Sequence, residues 1–542
     1  MRQGRAPRTA AVTNLAVMHN AAGQIWCFEN WHFCLPHFPT RHQSKQKSQY
    51  LLLTNNDNKQ FMKNFRLLTL TTIALLLCLT TSGQGGKDDK IDVKLLKEDF
   101  NTLRNKLEST QLGLYLYTPK DSLDKVFDRM ASSLNEPITS LEFYRRIATL
   151  SKSIRNLHNR FSPSTVDVKV LENEASRLPL DIHWHNKQMY VLRNHSANKS
   201  LLSGSVIKSI NGVNAETIFQ TILDCRARDG FNESYPIAQA SRNFSYYYAQ
   251  LIGTPITFSL EVTPPNGTTQ KIEISGLTGL EINNSRVSKY NRKYNQYSED
   301  WDNWITNKEP AFRFDIRESI ATMTIRTFYL PAIKKNGQNY EDFFRKSFGQ
   351  LIASKTKNLI IDLRNNHGGS DLVGMSLMSY LHDSVLYYYK RRTSLVKPIL
   401  KFEKKGDVYE IIGKNDWIGK VIPAQQQYRG NVYVLMNGYS VSAAGEFIGH
   451  LKNINRATFI GEEAGGNPVV FTGGQILSVD LPHSHVTGDI PLYLNEMNVK
   501  LKNTGHGIAP DYEVIPSITD ILEEKDKEME FVLKLIQEKH SN

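Results

Sequence analysis

Cysteine is scarce in this chain of 542 residues, which has only Cys27, Cys34, Cys78 and Cys225. Their spacing supports neither a disulfide framework nor a cysteine-based metal site. A strong excess of one charge is also missing, because the formal charge of +12 divides into +7 in residues 1–83 and +5 in the other 459 residues. A charge spread so thinly is not an electrostatic footprint for DNA or RNA, and no nucleic-acid partner is expected.

A long hydrophobic run is the third feature that the sequence lacks. Leu67–Leu79 is a 13-residue apolar stretch, whereas a bilayer-spanning helix takes about 20 residues. The basic stretch Met62–Arg66 precedes it and the small residues Thr80–Gly83 follow it, which is the layout of a secretory signal. We therefore predict a signal peptide at about 62–83. The mature chain is expected to be extracytoplasmic (periplasmic, outer-membrane-associated or secreted) and to have no stable membrane span.

The residues around this signal leave two questions open. Residues 1–61 have mixed composition without clear periodicity, and we predict a spurious or unstructured extension there. The mature chain is expected to begin near Gln84. Cys78 invites lipidation, but Leu77 stands where a lipoprotein signal has a small residue, so export without lipidation is the favoured prediction.

The rest of the sequence, with 40% hydrophobic and 22% charged residues in the whole chain, is typical of a globular protein. Apolar residues at spacings of three and four predict a helical N-terminal domain over 84–175, with a capping box at Thr139–Glu142. Short strands and turns predict a β-rich domain over 176–277, and the polar residues 278–310 predict a linker. Strand–turn–helix units over 311–542 predict an α/β layer with parallel strands.

The β-rich domain has a strand at Val206–Ile210, a tight turn at Asn211–Gly212 and a helix at Thr217–Cys225. This order resembles the peptide groove of PDZ domains, in which a loop and a strand precede a short helix. The alternative is another small β-rich domain, since a fold by itself does not establish peptide binding.

Two turns in the last domain follow buried strands and have the composition of chemical sites. After Asn358–Leu363, Gly368 and Gly369 let backbone N–H groups point into a cleft, where they can hold a developing oxyanion. The alternative is a plain tight turn. After Val432–Met436, Ser442 opens a helix, where backbone donors favour a serine nucleophile. The alternative is a helix N-cap, for which serine is also preferred.

Four ordered motifs include these turns: DLRNNHGG (362–369), NGYSVSA (437–443), GEEAGG (461–466) and GHGIAPD (505–511). Following a PDZ-like domain, they resemble the serine peptidases that include the carboxyl-terminal processing proteases, tricorn protease and the interphotoreceptor retinoid-binding protein repeats. The resemblance covers most of 90–540. It implies an α/β (α+β multidomain) fold with a helical N-terminal domain, a PDZ-like β-rich domain and a crotonase-like α/β catalytic domain.

The resemblance also implies roles for residues. Ser442 falls on the family's nucleophile, and the backbone N–H groups of Ala443 and Gly368, with Gly369 adjacent, fall on its oxyanion donors. The implied enzyme is a secreted serine endopeptidase that needs no metal or cofactor and cleaves protein or peptide chains. Its PDZ-like domain captures the tail of the substrate by adding it to a sheet edge. The oligomeric state is left open.

The general base differs between branches of this family. The carboxyl-terminal processing proteases use a lysine in the third motif, where this sequence has Asn467. Tricorn-like members use a histidine from the helical lead-in domain, which implies His158 here; the alternative is a surface histidine at a helix end. A histidine is chemically apt because its usual pKa near 6.5 leaves it neutral at neutral pH, and activity is expected to fall as the pH drops through about 6–7.

Further departures from the family pattern favour a second interpretation. Tricorn-like sites orient the histidine with groups that include a glutamate before the last motif, where this chain has Thr504, and Leu157 precedes His158. The carboxylates available as substitutes are Glu462, Glu463 and Asp371. Since the lysine is missing too, the alternative function is a catalytically inactive, peptidase-like peptide-binding protein.

Other patterns are weaker. Ser440 lacks the final glycine of a G-x-S-x-G elbow, which disfavours an α/β-hydrolase with that nucleophile. His183 with His185, and His483 with His485, each place two imidazoles on one strand face. Neither an HExxH motif nor a set of carboxylates accompanies them, so no metal is predicted.

Overall fold

The computed structural model describes residues 89–289, 310–411 and 419–541. The extension predicted at 1–61, the signal peptide predicted at 62–83 and Cys78 lie outside the described residues. The fold below is that of the unit that contains Lys90–Asn542.

The N-terminal part is helical and contains α1 (Val93–Thr110), α2 (Lys120–Ser133), α3 (Ser140–Ala148), α4 (Ser151–Ile154), β1 (Arg160–Ser162) and α5 (Thr165–Asn173). Asp92 caps α1 by accepting the Lys94 N–H, and Thr139 and Glu142 form the predicted capping box at α3. The apolar faces of these helices meet in one buried cluster, which includes Leu96, Phe100, Leu103, Leu107, Phe127 and Ile147.

The middle part contains β2 (Leu180–His185), β3 (Gln188–Asn194), β4 (Val206–Ile210), β5 (Val213–Asn214), α6 (Ala215–Asp224), α7 (Ser234–Arg242), α8 (Phe244–Leu251), β6 (Thr257–Thr263) and β7 (Gln270–Ser275). The strands form a sheet in the order β2-β3-β4-β6-β7, with β5 paired to β4. Asn211 and Gly212 have φ values of 51° and 79°, as the predicted two-residue turn requires. Buried residues alternate along β6, so one face of the sheet packs on α6 and α8.

The predicted linker at 278–310 begins with a helix, α9 (Gly279–Lys289). Thr278 and Glu281 cap it reciprocally, since each backbone N–H donates to the other residue's side chain. Ile282 is fully buried, which anchors the helix despite its polar composition. The T-x-x-E signature of this helix start is present in the sequence, but the polar composition around it favoured the prediction of a linker.

The last part contains β8 (Phe312–Arg317), β9 (Ile320–Ile325), α10 (Leu330–Lys335), α11 (Tyr340–Ala353), β10 (Asn358–Asp362), α12 (Asp371–Ser379), β11 (Leu386–Tyr387), β12 (Tyr389–Ser394), β13 (Phe402–Lys405), β14 (Val408–Ile411), β15 (Lys420–Val421), β16 (Asn431–Met436), α13 (Ala443–Asn453), β17 (Thr458–Gly461), β18 (Val470–Asp480), β19 (Thr487–Met497), β20 (Tyr512–Glu513), α14 (Ile518–Leu522) and α15 (Lys527–Ser541).

A six-stranded sheet in the order β20-β17-β16-β10-β9-β8 forms the centre of this part. Its neighbouring strands run parallel, except that β8 is antiparallel to β9. Strands β10 and β16 are adjacent, with Asp362 opposite Leu435. The turns that follow these two strands therefore leave the sheet at the same edge, side by side. The predicted α/β layer is confirmed.

A second six-stranded sheet joins distant parts of the chain in the order β1-β19-β12-β14-β13, and β18 pairs with β19 in a long antiparallel hairpin. Strand β1 belongs to the N-terminal part and pairs with β19 from Arg160 opposite Asp489 to Ser162 opposite Thr487. The segment just before β1 is thereby attached to the last part of the chain. The sequence analysis did not predict this pairing.

The first glycine motif is anchored by its charged residues. Arg364 is 8% exposed and pairs with Asp362 at 2.7 Å and with Asp526 at 2.7 Å. The D-x-R pattern therefore fastens the end of β10 to the segment that opens α15. Among the residues that the structure describes, no helix is long and apolar enough to cross a membrane.

Candidate active site

Ser442 lies in the turn between β16 and α13 and has a φ of 54° and a ψ of −130°. A non-glycine residue rarely adopts a positive φ, and such a backbone costs of order 1–3 kcal/mol. The residue stands at the N-cap position of α13, yet its side chain makes no capping hydrogen bond. Ser442 is partly exposed between the buried residues Val441 and Ala443. A capping role therefore does not account for this serine.

The glycine turn after β10 lies against Ser442. A Cβ on Gly368, whose φ is +83°, would stand 2.8 Å from both the Ala443 nitrogen and Ser442 Cβ, so only glycine fits. The Gly368 N–H itself donates to Asn366 Oδ1 at 2.9 Å. Among the described residues, the N–H groups of Gly369 and Ala443 have no protein acceptor. Open backbone donors of this kind suit a developing oxyanion.

The four motifs contact one another in order. Backbone hydrogen bonds join neighbouring motifs: Val441 N–H to Asn366 O (3.2 Å), Gly465 N–H to Ser440 O (3.2 Å) and Ala464 N–H to Ile508 O (3.0 Å). Ser440 is fully buried and its hydroxyl donates to Leu363 O at 2.9 Å. It therefore fastens the turn and does not reach a substrate.

His158 lies in the turn between α4 and β1, where its N–H donates to Asn156 Oδ1 at 3.0 Å. The residue is partly exposed between buried neighbours. Its Nδ1 atom is buried and has no hydrogen-bond partner among the described residues. A Cβ on Gly473 of β18 would stand 3.2 Å from His158 Cε1, so this glycine leaves room for the imidazole.

Leu157 attaches the His158 turn to the Ser442 turn. It is 1% exposed and packs in one buried cluster with Tyr235, Tyr439 and Val441. Val441 directly precedes Ser442, so contacts between neighbours connect two turns that lie 284 residues apart in the sequence. Leu157 departs from the family pattern, and its role in this structure is to pack in the cluster between the two turns.

The environment of His158 keeps its imidazole neutral. Burial lowers the pKa of His158 to about 4, and the positive charge of Arg160 acts in the same direction, while the Thr472 backbone opposes both. The neutral form, which accepts protons, is therefore present well into the acidic range. The fall in activity expected at pH 6–7 from an ordinary histidine moves to lower pH for this group.

The positions that depart from the family pattern have partners of their own. The Asn467 amide donates to Tyr117 Oη at 2.7 Å and to Asn503 Oδ1 at 2.9 Å. Thr504 Oγ1 accepts the His506 N–H at 3.4 Å. Both side chains therefore stabilise the loops that they belong to.

The three carboxylates considered as substitutes are also engaged. Glu463 accepts the Gly507 N–H at 2.8 Å, Glu462 accepts the Gly438 N–H at 3.3 Å, and Asp371 accepts from Tyr389 Oη at 3.0 Å. Within the described part of the chain, none of the three makes a hydrogen bond to His158.

Two buried carboxylates near the site were not singled out from the sequence. Glu446 is 6% exposed and accepts from Tyr389 Oη at 2.7 Å; burial and repulsion by Asp371 raise its pKa to about 7. Its spacing of four residues from Ser442 places it on the same helix face, a signal that was available. Asp229 is 1% exposed and belongs to the loop between α6 and α7. No local pattern marks it, because its contacts are all distant in sequence.

A serine, a histidine and a carboxylate are also in contact in the middle part. His195 Nδ1 is 3.1 Å from Ser285 Oγ, and its Nε2 is 3.0 Å from Asp181 Oδ2. Asp181 also pairs with Arg286 at 2.5 Å. Ser285 lies inside α9, where the helix uses the backbone N–H groups, and so this arrangement lacks donors for an oxyanion.

The remaining histidines of the motifs have different settings. The His367 ring centroid is 4.4 Å from that of Tyr439, and burial, with Arg242 and Arg160 nearby, holds the pKa of His367 well below its usual value. His506 is exposed, with Nδ1 3.3 Å from Glu463 Oε1.

The two histidine pairs considered for metal binding do not form clusters. The rings of His183 and His185 stack at 6.0 Å, and His483 Nε2 is 3.1 Å from Glu98 Oε2. Over residues 89–289, 310–411 and 419–541, no group of three His, Cys, Asp or Glu side chains is arranged to hold a metal ion.

A serine on a strained strand-to-helix turn, with a free hydroxyl and open N–H groups close by, defines a site of the serine-hydrolase class. Residues 319–514 match the family model described as Peptidase family S41. This match confirms the predicted serine-type peptidase and the predicted resemblance to the carboxyl-terminal processing proteases and tricorn protease.

Solved structures show the same fold. Mature CPAF aligns with a TM-score of 0.57 at 14% identity, over 82% of this chain and 96% of that chain. Mature CPAF complexed with lactacystin aligns with a TM-score of 0.58 at 15% identity, over 82% of this chain and 97% of that chain. The predicted α/β class is confirmed by this likeness.

Proposed function

We propose that this chain is a secreted, metal-independent serine endopeptidase in which Ser442 is the nucleophile and His158 is its general base. The observation that carries the proposal is the Ser442 turn, with its φ of 54° and a hydroxyl that caps nothing. Such a backbone persists only where its surroundings enforce it, and strain of this kind clusters at active sites.

In the proposed reaction, Ser442 Oγ attacks the carbonyl carbon of the scissile peptide bond while His158 takes the hydroxyl proton. The carbonyl oxygen becomes an oxyanion, which the N–H groups of Ala443 and Gly369 stabilise. Collapse of the intermediate breaks the C–N bond, and His158 gives its proton to the leaving amine. Water then hydrolyses the acyl-serine through the same two proton transfers.

Covalent labelling with a fluorophosphonate tests the nucleophile. The wild-type chain is expected to be labelled at Ser442, and Ser442→Ala is expected to abolish the labelling. Ser285→Ala is the matched control, because Ser285 also contacts a histidine but lies inside a helix; it is expected to be labelled like the wild type. No labelling of the wild type at any pH from about 6 to 9 contradicts the proposal and favours the alternative, a peptide-binding protein without turnover.

Substrate capture is proposed for the middle part. Its sheet ends in strands β2 and β7, and an extended peptide can add to such an edge through backbone hydrogen bonds. Two peptide substrates that differ only in C-terminal amidation test this step. A higher KM with an unchanged kcat for the amidated peptide supports tail capture, and equal KM values contradict it.

Export is proposed from the signal pattern at 62–83. N-terminal sequencing of the protein from its native host is expected to give a start near Gln84. Recovery of chains in the cytoplasm that still carry residues 62–83 as the main form contradicts export.

A further inference from the structure

Asp229 is a buried carboxylate that accepts two backbone hydrogen bonds from distant parts of the chain. Its Oδ1 accepts the Leu157 N–H at 2.9 Å, and its Oδ2 accepts the Asn467 N–H at 3.3 Å. The residue is 1% exposed. Removing this carboxylate would leave two buried N–H groups without acceptors, which would destabilise the fold.

Both of these N–H groups belong to neighbours of the site. Leu157 directly precedes His158. Asn467 directly follows Gly466, and a Cβ on Gly466 would stand 3.3 Å from the Ser442 nitrogen and 3.9 Å from Asp229 Oδ2. One carboxylate therefore connects the His158 turn with the loop that passes beside Ser442.

The residues after Asp229 add contacts to the same two regions and to the last motif. Gly230 N–H donates to Arg155 O at 3.0 Å, and Phe231 N–H donates to Gly505 O at 2.7 Å. The Asn232 amide donates to Ala464 O at 3.1 Å. Segment 229–232 of the middle part thus contacts the His158 turn, the loop at 464–467 and the last motif.

We infer that Asp229 is a positioning residue of the proposed peptidase site, which holds the His158 turn and the Asn467 loop at a fixed separation. The inference rests on the proposed function of Ser442 and His158. Asp229 acts through the backbone of their neighbours, and its contacts with Leu157 and Asn467 leave the reacting atoms to the serine and the histidine.

The charge of Asp229 gives this role a pH signature. Burial raises the pKa of Asp229 to about 6, and the two N–H donors oppose part of that shift. The ionisable side chains on the segments around it include Arg155, His158, Glu463 and His506, with Arg228 and Glu233 on its own loop. The phenols of Tyr117 and Tyr235 interact with it electrostatically. Above pH 6 the carboxylate accepts both N–H groups, whereas protonation turns one oxygen into a donor and loosens one contact.

Asp229→Asn tests the inference, because an amide keeps the shape but has one acceptor and one donor. The labelling rate of the full chain with a fluorophosphonate at pH 8 is expected to fall about tenfold in this variant. The wild-type rate is expected to decline below pH 6, and the variant is expected to lack that decline. Asp99→Asn is the matched control, because Asp99 also accepts two backbone N–H groups, from His483 and Ser484, away from the site. It is expected to keep the wild-type rate and pH profile.

Hydrogen exchange followed by mass spectrometry gives a readout that does not depend on labelling. Peptides that contain Leu157 and Asn467 are expected to exchange faster in Asp229→Asn and at the wild-type rate in Asp99→Asn. Unchanged exchange of both peptides overturns the inference, and so does a wild-type labelling rate and pH profile in Asp229→Asn. A wild-type chain that is not labelled contradicts the proposed function instead, and the exchange data then still decide whether Asp229 holds the two loops.

Discussion

His158, the proposed base, and His195, which contacts Ser285, differ in what their ring nitrogens do. His195 is 3% exposed, and its two nitrogens contact Ser285 Oγ and Asp181 Oδ2. His158 is partly exposed, and its buried Nδ1 has no hydrogen-bond partner among the described residues. A histidine with both nitrogens bonded stabilises the fold, whereas one with an open nitrogen keeps the capacity to move a proton.

The two serines differ in a parallel way. Ser285 lies in the regular backbone of α9, while Ser442 has a φ of 54° at the mouth of α13. A serine, a histidine and a carboxylate in contact, as found at His195, are therefore not enough to indicate a catalytic site. The strained turn at Ser442 and the Nδ1 of His158, unpartnered among the described residues, are the features that distinguish the proposed site from the network around His195.

The largest expected effect separates the two histidines. His158→Ala is expected to lower kcat by a factor on the order of 10³, because a serine without its base is a poor nucleophile. His195→Ala is expected to lower the free energy of unfolding by about 1–3 kcal/mol, since Asp181 and Ser285 lose a buried partner, and to leave kcat almost unchanged. Peptide cleavage rates and urea unfolding of both variants measure these effects. A His158→Ala enzyme that keeps most of its rate refutes the assignment, and His506 and His367 are then the bases to test.

A smaller effect is expected when His158 is displaced but kept. Gly473→Val places side-chain atoms where the His158 ring lies, since even a Cβ there would be 3.2 Å from Cε1. Misplacing a catalytic group by about 1 Å costs on the order of 10²-fold, so kcat/KM is expected to fall by that factor. Gly253→Val is the control, because a Cβ on Gly253 meets no atom within 4 Å. Equal rates for the two variants would show that the position of the His158 ring does not matter.

Restoring the lysine of the processing proteases is not expected to increase activity. Asn467→Lys removes the amide that donates to Tyr117 and Asn503 and accepts the Val469 N–H. Its loss is expected to lower the free energy of unfolding by about 1–3 kcal/mol, without raising kcat above the wild type. Cleavage that persists in the double variant His158→Ala/Asn467→Lys at the wild-type rate would show that a lysine base works at this place.

The smallest effect concerns stability against pH. The folded pKa of His158 is about 4, below the usual value of about 6.5. The unfolded chain therefore takes up this proton first as the pH falls, and stability from the neutral imidazole is present above pH ~6.5 and lost between about 6.5 and 4. The free energy of unfolding should fall more steeply in this window for the wild type than for His158→Gln. Asp229 has a raised pKa and the opposite sign, but it is present in both chains and cancels. Parallel curves would contradict burial of a neutral ring.

Local patterns in the sequence predicted the strands and turns that position Ser442. The apolar runs predicted strands at Asn358–Leu363 and Val432–Met436, and the structure has them at Asn358–Asp362 and Asn431–Met436. The turns after these strands lie next to each other, as adjacent parallel strands require. These features depend on spacing and composition, which are visible within some twenty residues.

The parts that were not predicted depend on long-range contacts. Asp229 has no local signature, since its partners Leu157 and Asn467 lie in two other parts of the chain. The lowered pKa of His158 follows first from burial, which the segment around it does not show, and the nearby Arg160 acts in the same direction. The Gly368 N–H donates to Asn366, a contact whose geometry only the folded turn shows. Sequence motifs thus indicate where a candidate site lies, whereas its charge states and its unpaired N–H donors can be determined only from the folded structure.

The pairing of β1 with β19 affects when the N-terminal part can finish folding during synthesis. The His158 turn is followed by β1, which pairs with Thr487, Gly488 and Asp489, close to the end of a chain of 542 residues. A ribosome must therefore make nearly the whole protein before the segment with the histidine finds its partner strand. Until then, the segment that carries His158 lacks the strand pairing that attaches it to the last part of the chain.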